Sequence, residues 1–185
     1  DFRDAFNADV VENTGDPEED EFDPTGARMI TQAVAEANVP NDDDKGMNNN
    51  GVYPANSEHP EVVLIATDDF DGYNAWKAYG ILTETFAVSP TGQYNEVHVF
   101  ASAGGAGPTT PAKFRMTMHY TDCSSTTSTQ ITVPDWFGNV SAPGYYLIDG
   151  MDRFQNPGYE DADTVAIFGF PLLANPTKTL ESITI

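Results

Sequence analysis

Acidic side chains in one short stretch have the chemistry to bind a hard cation. Asp68, Asp69 and Asp71 supply three carboxylates within four residues, directly before Gly72, which permits a tight turn. Ca²⁺ takes six to eight oxygen ligands from carboxylates, amides and backbone carbonyls. The glutamate that closes an EF-hand loop is missing, so the stretch is not an EF-hand. We predict a structural calcium ion, and Asp149 with Asp152 is another candidate pair of ligands.

Aromatic side chains in turn-rich stretches have the chemistry of a sugar-binding surface. Rings stack on the apolar faces of pyranoses, and nearby polar groups hold the hydroxyls. One group, which also contains Tyr79, follows the Asp turn, and a second lies near residues 136–159. The predicted ligand contacts are Tyr73, Trp76, Trp136, Tyr145, Tyr146, Arg153 and Tyr159.

Burial is the alternative for each of these rings. Trp136 lies at a predicted strand end, which favours a plug in the core over a platform. Tyr145 and Tyr146 are adjacent, so they face opposite ways in a strand, and one of them is expected to be exposed. The loop aromatics are the preferred platforms: Tyr73, Trp76 and Tyr159.

Histidines offer a third kind of chemistry, general acid–base catalysis. His98 and His119 lie on the polar faces of predicted strands, so they are expected to share a sheet face and could pair with carboxylates. The chain has no nucleophile elbow, P-loop or His-Glu-x-x-His motif. Its one cysteine, Cys123, falls in a predicted turn and reads as a neutral surface thiol. We therefore predict no enzymatic activity.

The charge of the chain limits its partners. Its formal net charge is −21, from 29 acidic against 8 basic residues. Phosphate binding needs a basic surface, so nucleic acid is not expected as a partner, and anionic membranes and polysaccharides are disfavoured unless a cation bridges the two. The acidity fits solubility in a salty medium, with a specific ion-binding role as the alternative. No apolar run reaches the length of a membrane span, so membrane insertion is not expected.

The first third of the chain differs in composition from the rest. Residues 1–71 hold 19 of the 29 acidic residues. Residues 15–21 and 40–51 have the composition of loops, and residues 26–38 are the one fair helix candidate, either a short helix or an irregular segment. We expect a single domain over residues 1–185, in which an acidic, loop-rich segment 1–61 packs on the main strands of residues 62–185.

From residue 62 onward the pattern is that of β-strands. Lys113–Tyr120 alternates between apolar and polar residues, and a turn at 121–125 leads to Thr127–Val133, which predicts a hairpin. The other predicted strands are Val62–Thr67, Ala78–Val88, Tyr94–Ala101, Tyr145–Ile148, Thr164–Phe170 and Thr179–Ile185. Many short strands with regularly spaced turns predict an all-β, antiparallel β-sandwich of jelly-roll type.

Ordered phrases along the chain resemble one family of accessory modules. The matching phrases are residues 6–9 (FNAD), 22–26 (FDPTG), 92–101 (GQYNEVHVFA), 118–122 (MHYTD), 134–137 (PDWF), 151–153 (MDR) and 176–184 (PTKTLESIT). The family consists of jelly-roll β-sandwich domains, similar to carbohydrate-binding modules, that are appended to secreted carbohydrate-active enzymes and other exported hydrolases. The resemblance implies a secreted protein. It also places Asn7, Asp9 and Asp23 in matching phrases, which makes them a further candidate calcium set.

These observations favour a non-catalytic, extracellular glycan-binding module of a larger secreted protein, stabilised by calcium. The chain reads as a processed or excised part of a longer multidomain protein. The first alternative is a structural or adhesion module with no glycan site of its own. The second is a polysaccharide-active enzyme that uses His98 or His119. The sequence also contains one N-glycosylation acceptor triplet, Asn139-Val140-Ser141.

Overall fold

The computed structural model describes residues 5–13, 22, 25–38, 45–64, 72–106, 109–138 and 144–185. These residues are mostly β-structure with one short helix, which confirms the prediction of an all-β protein. In chain order the elements are β1 (Val11–Glu12), β2 (Ala27–Ile30), α1 (Gln32–Asn38), β3 (Val52–Tyr53), β4 (Val62–Val63), β5 (Thr85–Gln93), β6 (Glu96–Ala101), β7 (Ala112–Phe114), β8 (Thr117–Tyr120), β9 (Ser125–Thr127), β10 (Ile131–Val133), β11 (Tyr145–Gln155), β12 (Gly158–Leu173) and β13 (Thr179–Thr184).

A five-stranded sheet has the order β1-β2-β11-β12-β6. Strands β11 and β12 form its long central hairpin, and all pairs are antiparallel except β1 with β2. The acidic N-terminal segment supplies β1 and β2, so it is part of the sheet and does not only pack against it. Strands β3 and β4 pair separately as a short antiparallel ladder.

A four-stranded antiparallel sheet has the order β5-β13-β8-β9. The predicted hairpin between β8 and β9 is confirmed, but the predicted strand Lys113–Tyr120 divides in two. Its first part, β7, pairs with β10, and its second part, β8, pairs with β9. The division falls at Met116, which is completely buried and whose N–H donates to Ser128 Oγ at 3.0 Å instead of to a strand.

Strand β5 also differs from its prediction. It begins at Thr85, seven residues after the predicted start, and continues through Pro90 to Gln93. Its pairing with β13 skips residues 88–91, which lie in an irregularity of the ladder. A proline without an N–H is tolerated there because no ladder hydrogen bond is lost.

The two larger sheets share a buried apolar cluster. Phe86, Met118 and Leu180 from the four-stranded sheet pack with Val97 and Leu172 from the five-stranded sheet. Strand β8 shows the alternation most clearly, since Met118 and Tyr120 are buried in this cluster while Thr117 and His119 are half-buried. Burial of this apolar area is therefore the contact that joins the sheets.

Residues 26–38 form a strand and then a helix. Strand β2 pairs with β1 and β11, and α1 follows directly after Thr31. Ile30, Val34 and Ala35 are buried together against aromatic rings of the β11–β12 hairpin. Asn49 Oδ1 accepts a hydrogen bond from the N–H of residue 33 at 3.0 Å, which satisfies one free donor of the first helical turn. No helix of the described residues is long and apolar enough to span a membrane.

Candidate functional site

Residues 72–82, called the aromatic loop below, are fastened to the N-terminal segment by backbone hydrogen bonds. Ala75 O accepts from the N–H groups of Asn7 at 3.1 Å and Ala8 at 3.2 Å. Ala75 N donates back to Ala8 O at 3.1 Å. Ala8 is buried in a core cluster, so the bridge fixes the middle of the loop to the interior.

Side chains on both sides strengthen this attachment. Asn7 Nδ2 donates to Lys77 O at 3.0 Å, and Asn7 Oδ1 accepts from Lys77 N at 2.7 Å. Asn74 Oδ1 accepts from Val10 N at 2.9 Å, and its amide nitrogen donates to the Asp9 carboxylate. Two side chains predicted as calcium ligands, Asn7 and Asp9, therefore hold the aromatic loop in place.

Trp76 anchors the loop from inside. Its ring meets the ring of Phe86 edge-on, with centroids 5.5 Å apart and an interplanar angle of 82°. It is partly buried against the cluster that joins the two larger sheets. The indole therefore fixes the loop, and most of a sugar-stacking surface has to come from its neighbours.

The rest of the loop presents apolar side chains to solvent. Tyr73 is 57% exposed and Tyr79 is 70% exposed. Ile81 is 99% exposed and Leu82 is 51% exposed. Lys77 Nζ lies 5.3 Å from the centroid of the Tyr79 ring, a cation–π contact. The hydrogen bonds at residues 74, 75 and 77 thus hold the segment between two exposed phenol rings, and exposed rings are one component of a sugar-stacking surface.

The structure buries Trp136, a predicted ligand contact. Its ring is 0% exposed and lies 4.6 Å from the ring of Phe22. A ring without exposed surface cannot stack on a ligand, so the core-plug interpretation is the one that the burial supports. Arg153 lies beside it, with its guanidinium 3.8 Å from the Phe137 centroid and two nitrogens each 2.8 Å from the Glu160 carboxylate.

The three remaining predicted tyrosines are also engaged. Tyr145 is buried, and the Tyr146 ring is half-buried with its centroid 5.2 Å from that of Phe168. Within this adjacent pair Tyr146 is the more accessible ring, but it packs on Phe168, so neither ring is fully exposed. Tyr159 donates its hydroxyl proton to Glu12, and its ring packs near helix α1.

Two histidines converge on Tyr145. His98 Nδ1 lies 2.7 Å from the Tyr145 hydroxyl, and His98 Nε2 lies 3.4 Å from Glu96 Oε2. The His59 ring stacks on the Tyr145 ring at 5.1 Å. Burial, and then the negative charges of Glu96 and Glu58, raise the pKa of Tyr145. The chain Tyr145–His98–Glu96 could relay a proton, but the phenol is only 6% exposed and offers little access to a substrate.

His119 lies in a different place. It belongs to the four-stranded sheet whereas His98 belongs to the five-stranded sheet, so the expectation of a shared sheet face is wrong. His119 Nε2 is 2.9 Å from Thr184 Oγ1, and the ring lines a groove of about 410 Å³. The other lining residues are Thr85, Tyr120, Cys123, Ser124, Glu181, Ser182 and Thr184.

Of the predicted calcium ligands, Asp23, Asp68, Asp69 and Asp71 lie outside the described residues. Among the residues that the structure describes, one acidic group could hold an ion: carboxylate oxygens of Asp152, Asp161 and Asp163 lie within 4.8 Å of one another. Three oxygen donors in one place suit a hard cation such as Ca²⁺.

Asp152 is the buried member of this acidic group. It is 1% exposed, and its Oδ2 accepts from Lys45 N at 2.9 Å. Its Oδ1 accepts from Ala162 N at 3.0 Å and, more weakly, from Asp163 N at 3.5 Å. The proximity of Asp152 to Asp161 was predictable from the sequence, since a hairpin centred on residues 156–157 places position 152 across from position 161.

The chain matches no protein-family model, and comparison with curated protein sequences finds no significant match. The resemblance to accessory modules of secreted enzymes therefore stays a prediction.

Proposed function

We propose that this chain is a non-catalytic domain of a larger secreted protein, and that it binds an extracellular glycan through the aromatic loop. The observation that carries the proposal is the exposure of Tyr73 and Tyr79 on a loop that Asn7, Asn74 and Trp76 hold in place. A fixed backbone lowers the conformational entropy that is lost when the rings meet a ligand.

The charge of the chain favours a neutral glycan. With a net charge of −21, the domain repels uronate or sulfate groups unless a cation bridges the two. Lys77 is the basic residue of the aromatic loop, and it already lies against the Tyr79 ring. Hydroxyl groups of a neutral sugar can bond to such a loop without this repulsion.

We further propose that the two larger sheets are the layers of a jelly-roll β-sandwich. The shared apolar cluster of Phe86, Met118 and Leu180 with residues of β6 and β12 supports this arrangement. In a sandwich the connecting loops collect at the ends of the sheets, where they are free to bind ligands. The aromatic loop directly precedes the connection into β5, as this proposal requires.

Calcium is the proposed stabilising ion. The oxygens of Asp152, Asp161 and Asp163 would hold it, and the ion would offset the mutual repulsion of three clustered carboxylates. Asp152 is already oriented by backbone N–H groups, so less ordering is needed when an ion binds. Asp68, Asp69 and Asp71, which directly precede the aromatic loop in the sequence, remain proposed ligands.

Two other functions are kept as alternatives. A structural or adhesion module without a glycan site is favoured by the burial of Trp136 and Tyr145 and by the engaged Tyr159. A polysaccharide-active enzyme is favoured by the groove that holds both His119 and Glu181, an imidazole and a carboxylate.

A binding screen separates these alternatives. The purified domain is tested on an array of neutral and anionic polysaccharides, in calcium and again in chelator. We expect binding to a neutral glycan, and we expect Tyr73→Ala and Tyr79→Ala each to weaken it at least about fivefold, as ring contacts at an interface centre do. Leu173→Ala removes a side chain that is 76% exposed elsewhere, so this control should bind like the parent.

Each negative result has a defined meaning. Binding that survives both tyrosine changes would place the site elsewhere on the domain. If the folded domain binds no polysaccharide on the array, the structural module would be favoured. Release of shortened oligosaccharides, lost in His119→Ala, would favour the enzyme.

A further inference from the structure

Six consecutive hydroxyl side chains, from Ser124 to Thr129, follow the turn after β8. We call these residues the hydroxyl run. The whole chain has 8 Ser and 19 Thr among its 185 residues, so unbroken clustering of six is well above the average density. The run covers the edge strand β9 and the start of the connection to β10.

Half of the hydroxyl run is engaged in internal hydrogen bonds. Ser124 Oγ donates to the Asp122 carboxylate. Thr127 Oγ1 shares a hydrogen bond of 3.0 Å with Thr117 Oγ1 on β8. Ser128 Oγ accepts a backbone N–H from the β7–β8 connection at 3.0 Å. These three hydroxyl groups stabilise the hairpin.

The other three hydroxyl groups of the run are accessible to a modifying enzyme. Ser125, Thr126 and Thr129 are exposed, and within the described part of the chain their side-chain hydroxyls have no hydrogen-bond partner. A transferase could reach these three oxygens without breaking a contact of the fold. The run therefore divides into three hydroxyl groups that are bonded within the fold and three that are not.

The position of the run adds a reason for modification. Strand β9 pairs with β8 on one side and lies at the edge of its sheet. Natural sheets protect such edges with Lys, Pro or inward charges, because a free edge can recruit another strand. Residues 123–133 contain no charged residue and no proline. Strand β9 is three residues long, which by itself limits such recruitment, and a bulky hydrophilic group on the run would add to this protection.

We propose that Ser125, Thr126 and Thr129 are attachment sites for O-linked sugars. The proposal rests on the extracellular location in the proposed function but not on the glycan-binding site. In the reaction, the hydroxyl oxygen attacks the anomeric carbon of a nucleoside-diphosphate sugar. The bond from that carbon to the phosphate oxygen breaks, the nucleoside diphosphate leaves, and a base of the separate transferase takes the hydroxyl proton.

Mass spectrometry of the protein from its own organism tests the proposal. After enzymatic removal of any N-linked sugar, trypsin releases the peptide Met116–Arg153, which contains the whole run and the Asn139 acceptor. Electron-transfer fragmentation then locates O-linked sugars. We expect increments of whole sugar residues on Ser125, Thr126 or Thr129.

Two triple variants made in the same organism provide the comparison. Ser125→Ala with Thr126→Ala and Thr129→Ala should lose every increment. The control, which changes Ser124, Thr127 and Ser128 to Ala, should keep them, since those hydroxyls are engaged internally.

A parent peptide at its unmodified mass would overturn the proposal, as would phosphate increments or sugars confined to the three engaged positions. The peptide map contains no binding step, so failure of the glycan-binding proposal leaves this result unaffected.

Discussion

Replacing Asp152 by alanine tests whether a buried carboxylate holds the β11–β12 hairpin together. Asp152 is 1% exposed and accepts backbone N–H groups of Lys45 at 2.9 Å and Ala162 at 3.0 Å. Its third bond, from Asp163 N at 3.5 Å, is long and adds little. The carboxylate therefore ties the segment at Lys45 to β12, a connection across more than a hundred residues of sequence.

The size of the effect follows from the two good hydrogen bonds. A hydrogen bond to a charged group contributes about 1.5–3 kcal/mol, and a buried donor left without a partner costs a comparable amount. Asp152→Ala should therefore lower the free energy of unfolding by about 3–5 kcal/mol, a large part of the 5–15 kcal/mol typical of a domain. Asp152→Asn keeps one acceptor oxygen, so about half of that loss is expected.

Urea unfolding in chelator, followed by circular dichroism, measures this loss. Asp161→Asn changes an exposed neighbour of the same acidic group and should shift stability by less than about 0.5 kcal/mol. A loss below about 1 kcal/mol for Asp152→Ala would refute the reasoning. Repeating the series in calcium shows whether an ion adds stability that Asp161→Asn removes.

Three further changes test other parts of the fold. Gly169→Ala places a Cβ 2.3 Å from the Tyr145 ring, so it should lower the free energy of unfolding by about 1–3 kcal/mol. In a double-mutant cycle, Gly169→Ala combined with Tyr145→Ala should lose less stability than the sum of the two single losses. Trp136→Ala empties a fully buried site and should cost about 3–5 kcal/mol in denaturant unfolding, against little change for Leu173→Ala. Burial raises the pKa of Tyr53 to about 12, above its ordinary value of 10.0, so the stability from its neutral form is complete below pH 10 and is lost as pH rises through 12. Unfolding of the parent and of Tyr53→Phe across this window checks the effect, and equal slopes would contradict it.

The strands with strong alternation were predictable because period-two patterning is a local property. Glu96–Ala101, Thr117–Tyr120 and Thr179–Thr184 lie within predicted strands, and Thr117–Tyr120 alternates strictly, with Met118 and Tyr120 buried. The end of β5 was not predictable from the local signal, since a Ser-Pro-Thr-Gly stretch has the composition of a turn. Here the ladder with β13 resumes beyond the irregularity and extends the strand to Gln93.

The candidate site was predicted only in part. Tyr73 was predicted as a loop platform and is exposed, whereas Trp76 follows the same local signals and packs on Phe86. Tyr79 is also exposed, although the prediction placed it in the strand Ala78–Val88 and not among the ligand contacts. The difference lies in what each side chain meets across the fold. No local pattern separates an aromatic ring on a loop surface from one that reaches the core.

The sequence by itself determined the all-β class and the acidity, because these depend on composition and on side-chain periodicity. Tertiary structure alone decided which polar groups are engaged. Asn7 and Asp9 hold the aromatic loop through Lys77 and Asn74, and Asp152 accepts the N–H of Lys45. Such roles depend on distances between residues far apart in the chain, and only the packing of the sheets sets those distances.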